Sequence, residues 1–92
     1  MTITVTINIT GAPADTVVVP GDAAKEAIRF SFNPSGRPDV ATLKALAAAF
    51  LTACDEALAN APGAGRELAV AKTHMQTASM WAVLGATKGA TP

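Results

Sequence analysis

The chain has 92 residues, with seven Lys/Arg, seven Asp/Glu, one His and one Cys. That length suits a single domain, the lone Cys54 excludes a disulfide framework, and a net charge of +0 argues against binding nucleic-acid polymers, which takes a basic surface. Half of the residues are hydrophobic, but 21 Ala stand against three Phe, one Trp and no Tyr, so the chain folds with few large side chains to fill a core.

Residues 2–10 alternate Ile3, Val5, Ile7 and Ile9 with Thr and Asn, a period of two in β-branched residues that predicts a first strand. Residues 11–15 read as a turn and residues 16–19 as a second short strand, closed by Pro20-Gly21-Asp22. Residues 23–27 fit either a short helical turn or the start of a third strand. Over residues 27–32 the alternation returns. Ile28, Phe30 and Phe32 fall on one face and Arg29 and Ser31 on the other, which predicts that third strand ahead of an Asn33-Pro34-Ser35-Gly36 turn.

The period changes at Asp39, which reads as an N-cap after Pro38. Leu43, Leu46, Ala47, Phe50, Leu51, Cys54 and Leu58 then recur at spacings of three and four, one stripe of a helix running to about Ala59. Residues 60–65 end it. A second helix is predicted from near Arg66 to about Thr87, with two adjacent stripes. Leu68, Ala71, Met75, Ala78 and Ala82 form the first; Val70, Thr77, Trp81 and Leu84 form the second. The short connection makes the helices antiparallel neighbours. The expected fold is α+β in one domain: a small N-terminal antiparallel β-sheet over residues 1–37, a long antiparallel helical hairpin over 38–88, and a frayed tail over 89–92. The first helix of the hairpin carries one basic and three acidic residues and the second three and one. The apolar face of the second helix is wider than one hairpin partner needs, so self-association is expected. The sequence contains neither an apolar run long enough to span a membrane nor a charged leader, and an intracellular protein is expected.

No catalytic constellation emerges. His74 has no second ligand at three or four residues' distance, whereas zinc sites need three or four ligands. Cys54, on the apolar stripe, reads as a buried small hydrophobe. Asp55 and Glu56 are adjacent and point to different helix faces, and Gly63-Ala64-Gly65 follows a helix where a phosphate loop would follow a strand. No metal or cofactor is implied. Three arginines carry more weight. Arg29 lies on the polar face of the third strand, Arg37 follows the turn, and Arg66 opens the second helix, where free N–H groups attract anions. Each is, on pattern alone, more often a solvated or ion-paired surface residue. Trp81 reads first as hairpin core, and otherwise as a stacking surface for a base or a closure for an oligomer interface.

The run Ile28-Arg29-Phe30-Ser31-Phe32-Asn33-Pro34-Ser35-Gly36, then Asp39-Val40 entering an Ala-rich helix, Gly65-Arg66-Glu67-Leu68-Ala69 and Met80-Trp81-Ala82-Val83 resembles the phage anti-Thoeris sponge proteins, which share a helical-hairpin module with the anti-CBASS sponges. The resemblance covers roughly residues 28 to 88. His74-Met75-Gln76-Thr77 departs from it, because the family usually has two acidic residues before the Met-Trp pair. The resemblance implies a non-enzymatic protein of the host bacterial cytoplasm that sequesters immune cyclic nucleotide signals: glycocyclic ADP-ribose, and cyclic di- or trinucleotides in some members. It also implies a homodimer that assembles into a homohexamer. Arg29, Phe32, Asn33, Arg37, Arg66 and Trp81 are the expected ligand-binding residues. Arginine's planar fork suits phosphate, and Phe32 or Trp81 offers a wall for adenine. The competing readings are an oligomeric structural or adaptor protein without a nucleotide ligand, and an enzyme that cleaves the signal.

Overall fold

The computed structural model describes residues 3–19, 23–30, 33 and 36–89. β1 (Ile3–Ile7) and β2 (Asp15–Val19) form a two-stranded antiparallel sheet, with Ile3 opposite Val19 and Val5 opposite Val17. β1 is shorter than the alternation predicts. The chain turns at Gly11, whose φ is +85°, and Ala12 N–H donates to the Ile9 carbonyl at 3.0 Å, which leaves Ile9 in solvent. The alternation does sort the faces: Ile3, Val17 and Val19 are buried, while Thr4, Thr6 and Val18 are exposed.

No third strand forms over the described part of residues 27–32. Residues Ala23–Ala27 are a short helix, α1, and residues 28–30 are a turn. The ambiguity at residues 23–27 thus resolves to helix. Ser31 and Phe32 lie outside the described residues, as does the tail beyond Gly89.

Helix α2 (Pro38–Asn60) is the centre of the molecule. It packs against both strands and α1, and against α3 (Gly65–Gly89), which follows a 3-10 turn at Pro62–Ala64. A two-stranded hairpin is marginal alone in water; here Ile3 and Val19 join Ile28, Ala47, Ala48 and Leu51 in one core. Ala47 and Ala48 are small enough to let neighbouring elements approach the α2 backbone closely. Leu51, 1% exposed, is the large side chain there, and its truncation to Ala would cost roughly 2–5 kcal/mol.

Because α2 is covered from more than one side, its buried arc differs from the predicted stripe. Val40, Lys44, Ala48 and Thr52 are buried, whereas Leu46, Phe50 and Leu58 are exposed. The N-cap prediction is also corrected. Arg37 is the N-cap residue without a side-chain cap, and Pro38 takes the first helical position, which suits its fixed φ and missing N–H. Asp39 lies inside the helix. Across the hairpin Lys72 Nζ meets Asp55 Oδ1 at 2.7 Å, in line with the opposite charges of the two helices. Trp81 is not hairpin core: it is 70% exposed. Leu68, Ala71, Met75 and Ala82, from the first stripe of α3, are partly covered while Ala78 is exposed, and the second stripe, Val70, Thr77, Trp81 and Leu84, is exposed. No helix among the described residues is long and apolar enough to cross a membrane.

Candidate functional site

Helix α1 ends in a Schellman arrangement. Phe30 N–H donates to the Lys25 carbonyl at 2.8 Å and Arg29 N–H to the Glu26 carbonyl at 3.0 Å. These are the six-to-one and five-to-two bonds of that motif, and they place Arg29 at the position usually held by glycine. Arg29 accordingly has φ +53°. A left-handed conformation costs a residue with a Cβ roughly 1–2 kcal/mol. The Arg29 carbonyl accepts a hydrogen bond from Lys44 Nζ at 2.7 Å. Lys44 is 5% exposed although it lies one turn after Val40 on α2. A hydrogen bond to a charged group contributes roughly 1.5–3 kcal/mol, which works against both the strain and the cost of burying the ammonium. Burial first, and then the Arg29 charge, hold the Lys44 ammonium below its ordinary pKa. The two cations therefore feel each other.

Arg29 and Lys44 border a cleft of about 340 Å³, closed on its far side by the C-terminal half of α3. Ile28, Met80, Val83 and Leu84 give it an apolar lining, and Ser79 and Thr87 add hydroxyl-bearing side chains. It thus combines two positive charges with an apolar floor, an arrangement suited to a small organic anion.

The other expected site residues are distributed differently. Asn33 serves the turn. Its Nδ2 donates to the Arg37 carbonyl at 3.0 Å, its Oδ1 accepts from Arg37 N–H at 3.3 Å, and its carbonyl accepts from Gly36 N–H. Gly36, at φ +64°, is a glycine that this turn requires. The Arg37 guanidinium forms a fork on Asp39, Nε to Oδ1 at 3.0 Å and Nη2 to Oδ2 at 2.6 Å. That hydrogen bond is the main reason why the Asp39 carboxyl stays below the usual carboxylate range. Arg66 lies at the start of α3 beside Glu67 and Val70, in a separate depression. Thirteen residues of helix, roughly 20 Å, separate it from Ser79 in the cleft. Trp81 is exposed beside Met80, and Phe32 lies outside the described residues. The structure therefore puts Arg29 at the cleft and brings neither Arg37 nor Arg66 among its lining residues.

Lys44, Ser79 and Thr87 escaped the sequence reading. A signal for Lys44 existed: Val40, Ala47, Ala48 and Leu51 surround it at helical spacings of three, four and seven, so it is a lone cation within an apolar stripe. Buried lysines are rare unless paired. Ser79 carried no comparable signal.

Among the described residues no group of His, Cys, Asp or Glu is arranged to hold a metal. Comparison with known proteins gives a match over residues 22–87 to the Acb2/Tad1 hairpin domain, a span that begins just before α1 and takes in α2 and nearly all of α3. No curated protein and no solved structure matches the chain. With well over half of its length inside that domain, and with the helical hairpin the domain's name describes, the chain belongs to the Acb2/Tad1 family of anti-CBASS and anti-Thoeris sponge proteins.

Proposed function

We propose that this protein binds bacterial immune cyclic nucleotides and sequesters them without cleavage, glycocyclic ADP-ribose first and cyclic di- or trinucleotides as a further class. Family membership supports the sponge role. The observation that carries the ligand class is the cleft, in which Arg29 and Lys44 stand over Ile28, Met80 and Leu84. The Arg29 guanidinium suits a phosphate, with the buried Lys44 held to its backbone, and the apolar lining suits a nucleoside.

Arg29 is the primary phosphate contact in this reading. Phe32 and Asn33, on the chain leaving Arg29, shape the nucleoside side. Arg37, Arg66 and Trp81 serve as contacts supplied around a composite site. A volume of about 340 Å³ is at the low end of the roughly 300–1,000 Å³ of small-molecule sites. One chain therefore accommodates part of a cyclic nucleotide, and a second protomer encloses the rest. The exposed Val70, Met80, Trp81 and Leu84 support assembly into a homodimer and from there a homohexamer. The protein acts in the host bacterial cytoplasm, where such signals are made.

Thermal denaturation of the protein with glycocyclic ADP-ribose isomers and cyclic oligonucleotides tests this reading. A rise in the melting temperature is expected, followed by recovery of intact ligand from the heat-denatured complex. An unchanged melting temperature with every ligand favours a structural or adaptor role; recovery of a cleaved product favours an enzyme.

A further inference from the structure

Arginine is an unusual choice for the left-handed end of α1. Glycine would take φ +53° without strain, and the two Schellman hydrogen bonds use only backbone groups. Local propensity therefore does not explain Arg29. A strained residue that the surroundings hold in place points to a role for its side chain. What holds it here comes from elsewhere in the fold: Lys44 Nζ reaches the Arg29 carbonyl from α2 at 2.7 Å. Lys44 is almost fully buried, so an ammonium has been withdrawn from water to reach this carbonyl, next to a second cation. Both residues border the same cleft.

We infer that Lys44 is a positioning residue for ligand capture: its buried ammonium, bonded to the Arg29 carbonyl, holds Arg29 left-handed and so directs the Arg29 side chain along the cleft. The φ of a residue sets the direction in which its Cα–Cβ bond leaves the backbone. In a right-handed or extended conformation Arg29 would project elsewhere, and its guanidinium would be lost from the site. Lys44 acts on the ligand through Arg29, which receives the phosphate. This inference rests on the cyclic-nucleotide reading above.

Two cycles of substitutions test it, one without ligand. In the free protein, Lys44→Met should lower the denaturation midpoint less when residue 29 is glycine than when it is arginine, because glycine needs no help to stay left-handed. Additive effects would overturn the clamp. Should Lys44→Met fail to fold, its pairing with Arg29→Gly provides a folded form for the binding comparison with Arg29→Gly alone. In calorimetric titration with glycocyclic ADP-ribose, Lys44→Met should weaken binding roughly tenfold, as a fall in the binding-competent fraction to about a tenth requires. In an Arg29→Ala background it should weaken binding no further. Equal affinity of Lys44→Met and wild type, or a full further loss in the Arg29→Ala background, overturns the positioning role while the sponge reading stands. Absence of binding by the wild type to any cyclic nucleotide overturns that reading and the positioning role with it. The ligand-free cycle tells these failures apart.

Discussion

Arg29 and Lys44 lie fifteen residues apart in sequence, yet the carbonyl of one accepts the buried ammonium of the other at 2.7 Å. That bond fastens the end of α1 to α2. Under the proposed function, stability and ligand binding pull in opposite directions at position 29.

Arg29→Gly should stabilise the free protein by about 1 kcal/mol, since it removes left-handed strain of roughly 1–2 kcal/mol and adds some entropy to the unfolded chain. The melting temperature should rise by roughly 4–8 °C. Arg29→Ala keeps a Cβ, so its melting temperature should stay near that of the wild type. Both variants should bind glycocyclic ADP-ribose about ten- to a hundredfold more weakly, the loss of a charge-assisted hydrogen bond to phosphate. Arg29→Lys should recover part of the affinity, because the ammonium lacks the planar fork. Calorimetric titration and scanning calorimetry on the same samples check both effects. Unchanged affinity in Arg29→Ala would remove this residue from the site.

The alkaline limb of stability should report Lys44. Burial, aided by the Arg29 charge, lowers the pKa of its ammonium from 10.5 in the folded protein. Between the folded value and 10.5 the unfolded chain binds more protons than the folded one, so the Lys44 contribution to stability rises with pH across that window. It is fully present above 10.5 and lost as the pH falls through the folded value. Urea denaturation of wild type and Lys44→Met over this range should give a steeper upward slope for the wild type. Parallel slopes would place the Lys44 ammonium in water.

Cys54 should resist thiol reagents in the native protein. It is a free cysteine, 6% exposed, on the buried side of α2, and labelling therefore requires an opening of the structure. The expected labelling rate rises in step with denaturant and matches unfolding. Rapid labelling of the native protein by a disulfide reagent would contradict the placement of this face of α2.

Trp81→Ala should separate folding from assembly. Since the side chain is 70% exposed on a single chain, its loss should change the stability of the protomer by no more than about 0.5 kcal/mol. At a subunit interface the same truncation should cost roughly 2 kcal/mol or more, about thirtyfold in the association constant. Light scattering of wild type should show an oligomer at micromolar concentration, and the variant should dissociate at a higher concentration than wild type. A wild-type mass of 9.3 kDa would reject assembly.

What the sequence alone determined was the hairpin of strands, the two long helices and their antiparallel pairing. These rest on local patterns: the alternation of Ile3, Val5 and Ile7, the three-and-four spacing from Leu43 to Cys54, and the Pro62-Gly63 break. Arg29 was singled out by its place on the polar face of an expected third strand; the structure sets it instead at the left-handed end of α1, where it borders the cleft. Tertiary structure decided the rest. Residues 28–32 alternate like a strand, and the glycine that would announce a helix end is replaced by Arg29, so the turn at residues 28–30 is set by the backbone hydrogen bonds that close α1, the Lys44 hydrogen bond and the packing of Ile28 and Phe30 against the core. Lysine within a helix ordinarily reads as solvent-facing. The apolar stripe of Val40, Ala47, Ala48 and Leu51 around Lys44 marks the position as unusual, but its burial against the Arg29 carbonyl follows from where α1 lies on α2. The buried arc of α2 is likewise set by the sheet, α1 and α3 together, which is why Ala48 and Thr52 are inside while Leu46 and Phe50 are not. Hydropathy sets which side chains favour burial, but only the placement of neighbouring elements settles which surfaces are covered.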